Sequence, residues 1–373
     1  MLKKLFSIAL LFALIYIGLM ILLYVLGGTK ERPTATIEQI RAVNTKDKGK
    51  LPIVYSSDYN ISFWGLENAH PFDTQKYRRV FEALNQRQIL KENQYFVPPY
   101  PADSVLERVH SSEHLAELTL AENIARFTEI GVLASLPDSV AYERIMVPAR
   151  FATSGSILAG ELALDYGYSI NLGGGYHHAS THSYEGFCAL ADITLSIKHL
   201  QDNFSQGKYS QKKHSHIQKV MIIDLDAHQG NGHGHDFIGD DNVFVLDMYN
   251  KDIYPYDHVA KKGIDFNVEL APFTKDKQYL ALLANALEQS FNQFQPDIIY
   301  YIAGTDILDG DPLGALSISA DGVIKRDEMV FERAMNNNIP IVMLLAGGYQ
   351  MNNAPIIADS IENLFEKFDL SGQ

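Results

Sequence analysis

The sequence predicts an α/β fold: a single large three-layer domain with a central, mostly parallel sheet flanked by helices. Three observations carry this expectation. Short apolar, β-branched runs alternate along the chain with longer helical stretches, the pattern of a parallel sheet covered on both faces. Four of the strand-like runs end in glycine plus a chemically reactive side chain. The chain has 373 residues, 46% of them hydrophobic and 11% aromatic, enough to bury a sizeable core and to exclude global disorder.

At the N-terminus, a short basic segment (residues 1–4, with Lys3 and Lys4) precedes an unbroken apolar run, Leu5 to Leu26. Its length of about 22 residues matches a bilayer core of roughly 30 Å, and it has neither the short apolar region nor the small-residue site of a cleaved signal. The expectation is a membrane protein with a single-pass N-terminal transmembrane helix over 5–26, in contact with the lipid bilayer, on a side the flanking charges do not decide. Residues 27–50, with Pro33 and the run Lys46 to Lys50, read as a polar tether, and 51–373 as the catalytic domain.

Within that domain, 51–55 reads as the first strand and 74–90 as a helix, with His70-Pro-Phe-Asp73 in the loop between them. A helix follows from Ser104, with His110 near its first turns as a candidate pocket residue. Ala149 to Tyr166 reads as a tightly packed helix. Ser169 to Leu172 is a brief strand that runs into Gly173-Gly-Gly-Tyr-His-His178. Residues 201–218 form a polar surface insertion. Val220 to Leu225 is a buried strand, followed by Asp224, Asp226 and His228 at two-residue spacing, which places them on one side of an extended chain. Residues 242–247 and 297–302 are further strands, the latter ending in Gly304-Thr-Asp306. Residues 339–345 form the last strand, ending in Gly347-Gly-Tyr349, and a helix from about Ala354 to Phe368 closes the chain.

Ligands of open α/β sheets bind at the carboxyl ends of strands, so these four endings are expected to converge on one pocket. Asp226, His228 and Asp306 make a three-ligand set with positions left for water and substrate, the pattern of a catalytic zinc, one per chain. Such a metal polarises a carbonyl and makes water acidic. The adjacent His177 and His178 supply acid and base, and Tyr349 a hydrogen-bond donor for an oxyanion. These are the parts of a metal-dependent amide hydrolase. The net charge of −14 argues against direct nucleic-acid binding, and the single cysteine, Cys188, excludes an intramolecular disulfide.

The segments at 173–178, 224–233, 304–314 and 347–349 resemble those of the histone deacetylase family, of the arginase–deacetylase fold. His70 to Asp73 and Asp247 to Pro255 are most similar to its class IV branch. The resemblance spans roughly residues 51 to 368. It implies zinc on Asp226, His228 and Asp306, a catalytic pair His177 and His178, and carbonyl polarisation by Tyr349. It implies further that Asp224 orients His177, and that Asn231 orients His178 where many relatives have aspartate, leaving His178 less basic. Gly186 and Phe187 resemble the lining of an acyl-lysine tunnel, and Asp224 and Asp247 a structural potassium site. The dimanganese arm of the fold needs further carboxylates where Gly230 and Leu308 stand, so one metal is expected. The implied activity is hydrolysis of the amide of an Nε-acyl-lysine, by a deacetylase or a longer-chain deacylase. The alternatives are a deacetylase of a small N-acyl amine such as an acetylpolyamine, a non-catalytic acyl-lysine binding module, and a membrane scaffold.

Overall fold

A computed structural model describes residues 31–43, 49–62, 73–91, 93–204 and 216–372, together with Tyr16 and Gly18. Seven strands form one sheet: β1 (Ile53–Val54), β2 (Tyr168–Asn171), β3 (Val220–Asp224), β4 (Val243–Asn250), β5 (Phe266–Leu270), β6 (Ile298–Ile302) and β7 (Ile341–Leu344). Their order is β1-β2-β7-β6-β3-β4-β5, and every pairing is parallel. Parallel strands need crossover connections, and the helices supply them.

The strands are apolar on both faces because both faces are covered. Met221, Ile223, Leu246, Ile299, Tyr301 and Met343 pack into one core; Val220, Ile222, Val245, Tyr300, Val342 and Leu344 pack into the other. On the first face lie helices α2 (Lys76–Gln86), α6 (Asp276–Gln293), α7 (Ala320–Asn336) and α8 (Asn353–Phe368). On the second lie α1 (Ile37–Ala42), α3 (Val147–Tyr166) and α4 (Asp192–Phe204). A shorter helix, α5 (Asn231–Asp236), follows β3.

Register decides where the chemistry falls. Asn171, Leu344, Ile302, Asp224 and Asp247 form one continuous row of partners across β2, β7, β6, β3 and β4. The segments leaving these strands therefore depart from one edge, side by side. Arg326 on α7 clamps two of them. Fully buried, it donates from Nη1 to the Leu225 carbonyl at 3.2 Å and to that of Gly304, from Nη2 to the Ala303 carbonyl at 3.2 Å, and from Nε to Asp327 Oδ1 at 2.8 Å.

Two expectations need correction. Among the described residues no helix is long and apolar enough to cross a membrane. The longest, α3, carries Arg150, Glu161 and Asp165 and is sheathed by protein rather than suited to lipid. The expected membrane localisation is withdrawn on this ground; the expected single-pass anchor and its bilayer contact fall on residues 5–26, which, apart from Tyr16 and Gly18, lie outside the described residues. Nor is residues 27–50 simply a tether. Ala35 bridges to Pro101, α1 opens with a capping box on Thr36 and Gln39, and Ile40 is fully buried. Arg32 donates to Glu143 at 2.9 Å and Arg41 pairs with Glu161 at 2.7 Å, so 31–43 is part of the domain. His70, Pro71 and Phe72 lie outside the described residues, while Asp73 is buried and accepts from Arg79 at 2.6 Å.

Replacing Arg326 by methionine strands three carbonyls. Arg326→Met is expected to lower the unfolding free energy by about 3–5 kcal/mol in urea titrations, and a loss below about 1 kcal/mol would contradict the clamp.

Candidate active site and metal centre

The β3 exit places Asp226 and His228, and the β6 exit places Asp306 against them. One ligand atom from each of the three lies within 4.8 Å of the other two, and all three side chains are buried. His228 Nδ1 is 2.9 Å from Asp306 Oδ2 and 3.1 Å from Asp226 Oδ1. Backbone amides hold the outer oxygens: Gly347 N–H donates to Asp226 Oδ2 at 2.9 Å, and Ala227 N–H to Asp306 Oδ1 at 2.9 Å.

The electrostatics of the trio are frustrated. Burial raises the Asp306 pKa and the charge on Asp226 raises it further. Burial works against charge on Asp226 as well, yet His177 and His228 outweigh it and hold its carboxyl well below the usual range. Burial likewise disfavours charge on His228, but the two carboxylates overcome it and push its pKa up to about 10. Like charges this close do not ionise together without a compensating cation. Two carboxylate oxygens and one imidazole nitrogen are the mixed donors of a divalent zinc-type site. The space around them is kept by glycine: a Cβ at Gly304 or at Gly347 would overlap Asp226 Oδ2. The residues present thus fit one metal ion.

The β2 exit brings in the histidine pair. Asp192 accepts from Gly175 N–H at 2.9 Å and Tyr176 N–H at 2.8 Å, which fixes the glycine turn before them. His177 Nδ1 is 2.9 Å from Asp224 Oδ2, and His178 Nδ1 is 2.7 Å from Asn231 Oδ1. The rings lie 4.1 Å apart. Burial opposes charge on both. For His177, Asp226 and Asp224 outweigh burial and lift its pKa to about 9, whereas His177 and His228 push His178 further down. Two adjacent histidines are thereby held in different protonation states, as acid and base work requires.

The β7 exit supplies Tyr349. Its N–H donates to Asp311 Oδ2 at 2.9 Å, and its ring packs edge-on against His228 with centroids 6.0 Å apart. Burial, then Asp306 and Asp226, push its hydroxyl pKa well up, so it remains a neutral donor. Phe187 lies 6.1 Å from the Tyr349 ring, and both line a cavity of about 100 Å³ with Gly186, His177 and His178.

His110 does not join them. It is buried behind the site, with Nδ1 3.2 Å from the Thr181 carbonyl and Nε2 accepting from Ala191 N–H at 3.1 Å. Both ring nitrogens are engaged by backbone, so its expected substrate-binding role is withdrawn. Asp224 and Asp247 are brought together by their register on β3 and β4, with His233 as a third group. Asp247 Oδ1 and both His233 nitrogens have no hydrogen-bond partner among the described residues.

Sequence reasoning missed Lys76. Fully buried on α2, its Nζ donates to the carbonyls of Ala346 and, at 2.9 Å, Gly347. Burial lowers its pKa to about 8 while Asp306 and Asp226 hold it up. A lysine in an amphipathic helix reads as solvent-facing, so its burial has no local signal.

The model of the Histone deacetylase domain matches residues 70–365. The chain is 46% identical to Histone deacetylase 2 of Arabidopsis thaliana over 316 residues, 84% of this chain and 79% of that protein.

The chain belongs to the histone deacetylase family.

It is accordingly a hydrolase acting on amides. An uncharacterized protein of Picosynechococcus is 30% identical, covering 81% of this chain and 93% of its own. The acetoin utilization protein AcuC of Staphylococcus aureus is 27% identical, covering 81% and 78%. Among solved structures, the HDA15 HD domain superposes with a TM-score of 0.67 at 19% identity, covering 87% of this chain and 90% of that one. A histone deacetylase homologue complexed with SAHA gives 0.64 at 21%, covering 87% and 84%. At those identities the two structures speak to the fold alone.

Gly304→Ala places a methyl group against Asp226. Its zinc retained after dialysis is expected to fall about tenfold or more with an unchanged circular dichroism spectrum, and full retention would contradict the crowded geometry.

Proposed function

We propose that this chain hydrolyses the amide of an Nε-acyl-lysine, with zinc held by Asp226, His228 and Asp306. The observation that carries the reading is that these three buried ligands lie against an oppositely tuned histidine pair and a neutral tyrosine, and that the pair and the tyrosine line one cavity. Bound there, the ion supplies Lewis acidity toward an acyl carbonyl and toward water.

The chain's own groups do the rest. His178 is neutral, and its Nδ1 is committed to Asn231, so Nε2 accepts the proton of the attacking water and later returns it to the leaving amine. His177, cationic at neutral pH with Asp224 behind it, stabilises developing negative charge and keeps a second proton off His178. Tyr349 donates its hydroxyl hydrogen to the oxyanion. Asn231, at a position where class IV relatives also carry asparagine, supports placement in that branch. Asp224 and Asp247, the latter with an Oδ1 that has no hydrogen-bond partner among the described residues, suit a structural potassium ion.

The cavity favours an acyl group longer than acetyl. Beyond the histidines it is walled by Phe127, Ile130, Ile145, Pro148 and Ala149, an apolar lining with no work to do for a two-carbon acyl group.

Two outcomes follow. Tyr349→Phe is expected to cut kcat by about 10²–10³ with little change in KM, and unchanged kcat would remove the tyrosine from the chemistry. A hexanoyl-lysine peptide is expected to exceed its acetyl counterpart in kcat/KM by about tenfold or more, from roughly 0.8 kcal/mol per buried methylene. Equal values would assign the cavity no part in acyl recognition, and turnover of N-acetylpolyamines but of neither peptide would replace lysine by a small amine as the substrate.

A further inference from the structure

Behind the His178–Asn231 pair stands a carboxylate that neither the motifs nor the mechanism above uses. Asn231 Nδ2 donates to Glu185 Oε1 at 2.6 Å, while Asn231 Oδ1 lies 2.7 Å from His178 Nδ1. Asn231 is buried, and Glu185 is half-buried at the far end of the relay.

The chemistry of an amide makes this arrangement consequential. A carboxamide has an accepting end and a donating end on one rotatable group. If its oxygen faces an imidazole Nδ1, that nitrogen must carry the hydrogen, and Nε2 keeps its lone pair. If its NH2 faces Nδ1, the hydrogen moves to Nε2, and the ring has no base to offer at that position. An aspartate in the same place would face no such choice, because both of its oxygens accept. An asparagine needs something else to settle its direction, and a carboxylate, which only accepts, admits only the NH2 end.

Glu185 is itself rigidly placed. It begins a turn with Gly186, Phe187 and Cys188, closed by Glu185 N–H to the Cys188 carbonyl at 3.1 Å and Cys188 N–H to the Glu185 carbonyl at 2.8 Å. Both central residues are left-handed, with φ of 53° at Gly186 and 63° at Phe187, the type I′ pattern. A Cβ at Gly186 would also overlap the His178 ring. One turn thus sets Phe187 in the cavity wall and Glu185 against Asn231.

We propose that Glu185 is a positioning residue. Through Asn231 it fixes His178 as the Nδ1–H tautomer and leaves Nε2 free to act as base. The proposal rests on the reading of His178 as the general base and adds to it how an asparagine serves at the position where many relatives have aspartate.

The test uses full-length, zinc-loaded protein and has two arms. In the first, 15N–1H correlation spectra of the histidine rings report the His178 tautomer in wild type, Glu185→Gln and Glu185→Ala. The Nδ1–H form is expected in wild type, a shift toward Nε2–H in Glu185→Ala, and partial retention in Glu185→Gln, whose amide oxygen can still accept. An unchanged tautomer in Glu185→Ala overturns the proposal. This arm decides it even if no acyl-lysine peptide is turned over, a result that would count against the proposed function instead.

The second arm is kinetic. Glu185→Ala is expected to lower kcat by about tenfold or more at nearly constant KM, within the range of a lost general base. Asn231→Asp in the wild-type background sets two carboxylates against each other and also lowers kcat. The double variant, Glu185→Ala with Asn231→Asp, is expected to recover most of the loss, since the introduced carboxylate accepts from His178 without guidance. Wild-type kcat in Glu185→Ala, or a double-variant loss equal to the product of the single losses, overturns the proposal.

Discussion

Two buried carboxylates, Asp226 and Asp306, share one imidazole, and the molecule around them exists to make that tolerable. Buried like charges are costly and persist only when compensated. Backbone amides of Ala227 and Gly347 take up the outer oxygens, and His228 sits between the inner ones. What remains is a deficit of positive charge on an oxygen and nitrogen donor set, which a divalent ion answers. Without the register that lays β3, β6 and β7 side by side, neither the crowding nor its remedy would arise.

Buried cations secure the same edge from behind. Arg326 gathers the carbonyls of Leu225, Ala303 and Gly304, just ahead of the ligands Asp226 and Asp306 on the two strand exits. Lys76 does the same for Ala346 and Gly347 before Tyr349. These contacts convert loop segments, which are otherwise the mobile part of an α/β fold, into fixed walls of the site. The histidine pair completes the division of labour: burial opposes charge on both rings, Asp226 and Asp224 outweigh it at His177, and His177 and His228 reinforce it at His178.

Much of this is legible in the sequence because it is local. Glycine followed by a reactive group at four strand ends announces one sheet edge, and the two-residue spacing of Asp224, Asp226 and His228 announces one face. What escapes is tertiary. Helix α7, with its Ser319 cap, is missing from the expected elements, and no pattern rule marks Arg326 as buried rather than solvated. Strand β5 is also missing from the expected elements, although Phe266-Asn-Val-Glu-Leu270 alternates apolar and polar residues as an edge strand does. The capping box at Thr36 and Gln39 is readable, yet the charged run after it suggests a tether. The apolar run at 5–26 offers only its length, and His110 only its residue type. The fold alone shows that His110 is held by two backbone groups, or that Glu185 reaches Asn231 across 46 residues.

The central claim is that a metal at Asp226, His228 and Asp306 makes this edge a hydrolase. The most direct measurement strips the protein with a chelator and titrates zinc back while following turnover of an acyl-lysine peptide and bound metal together. The account predicts no turnover in stripped protein and recovery that saturates at about one ion per chain, the stoichiometry of a single three-ligand site. Undiminished turnover after complete removal of metal, or one bound ion per chain in Asp306→Ala protein with full activity, would contradict it.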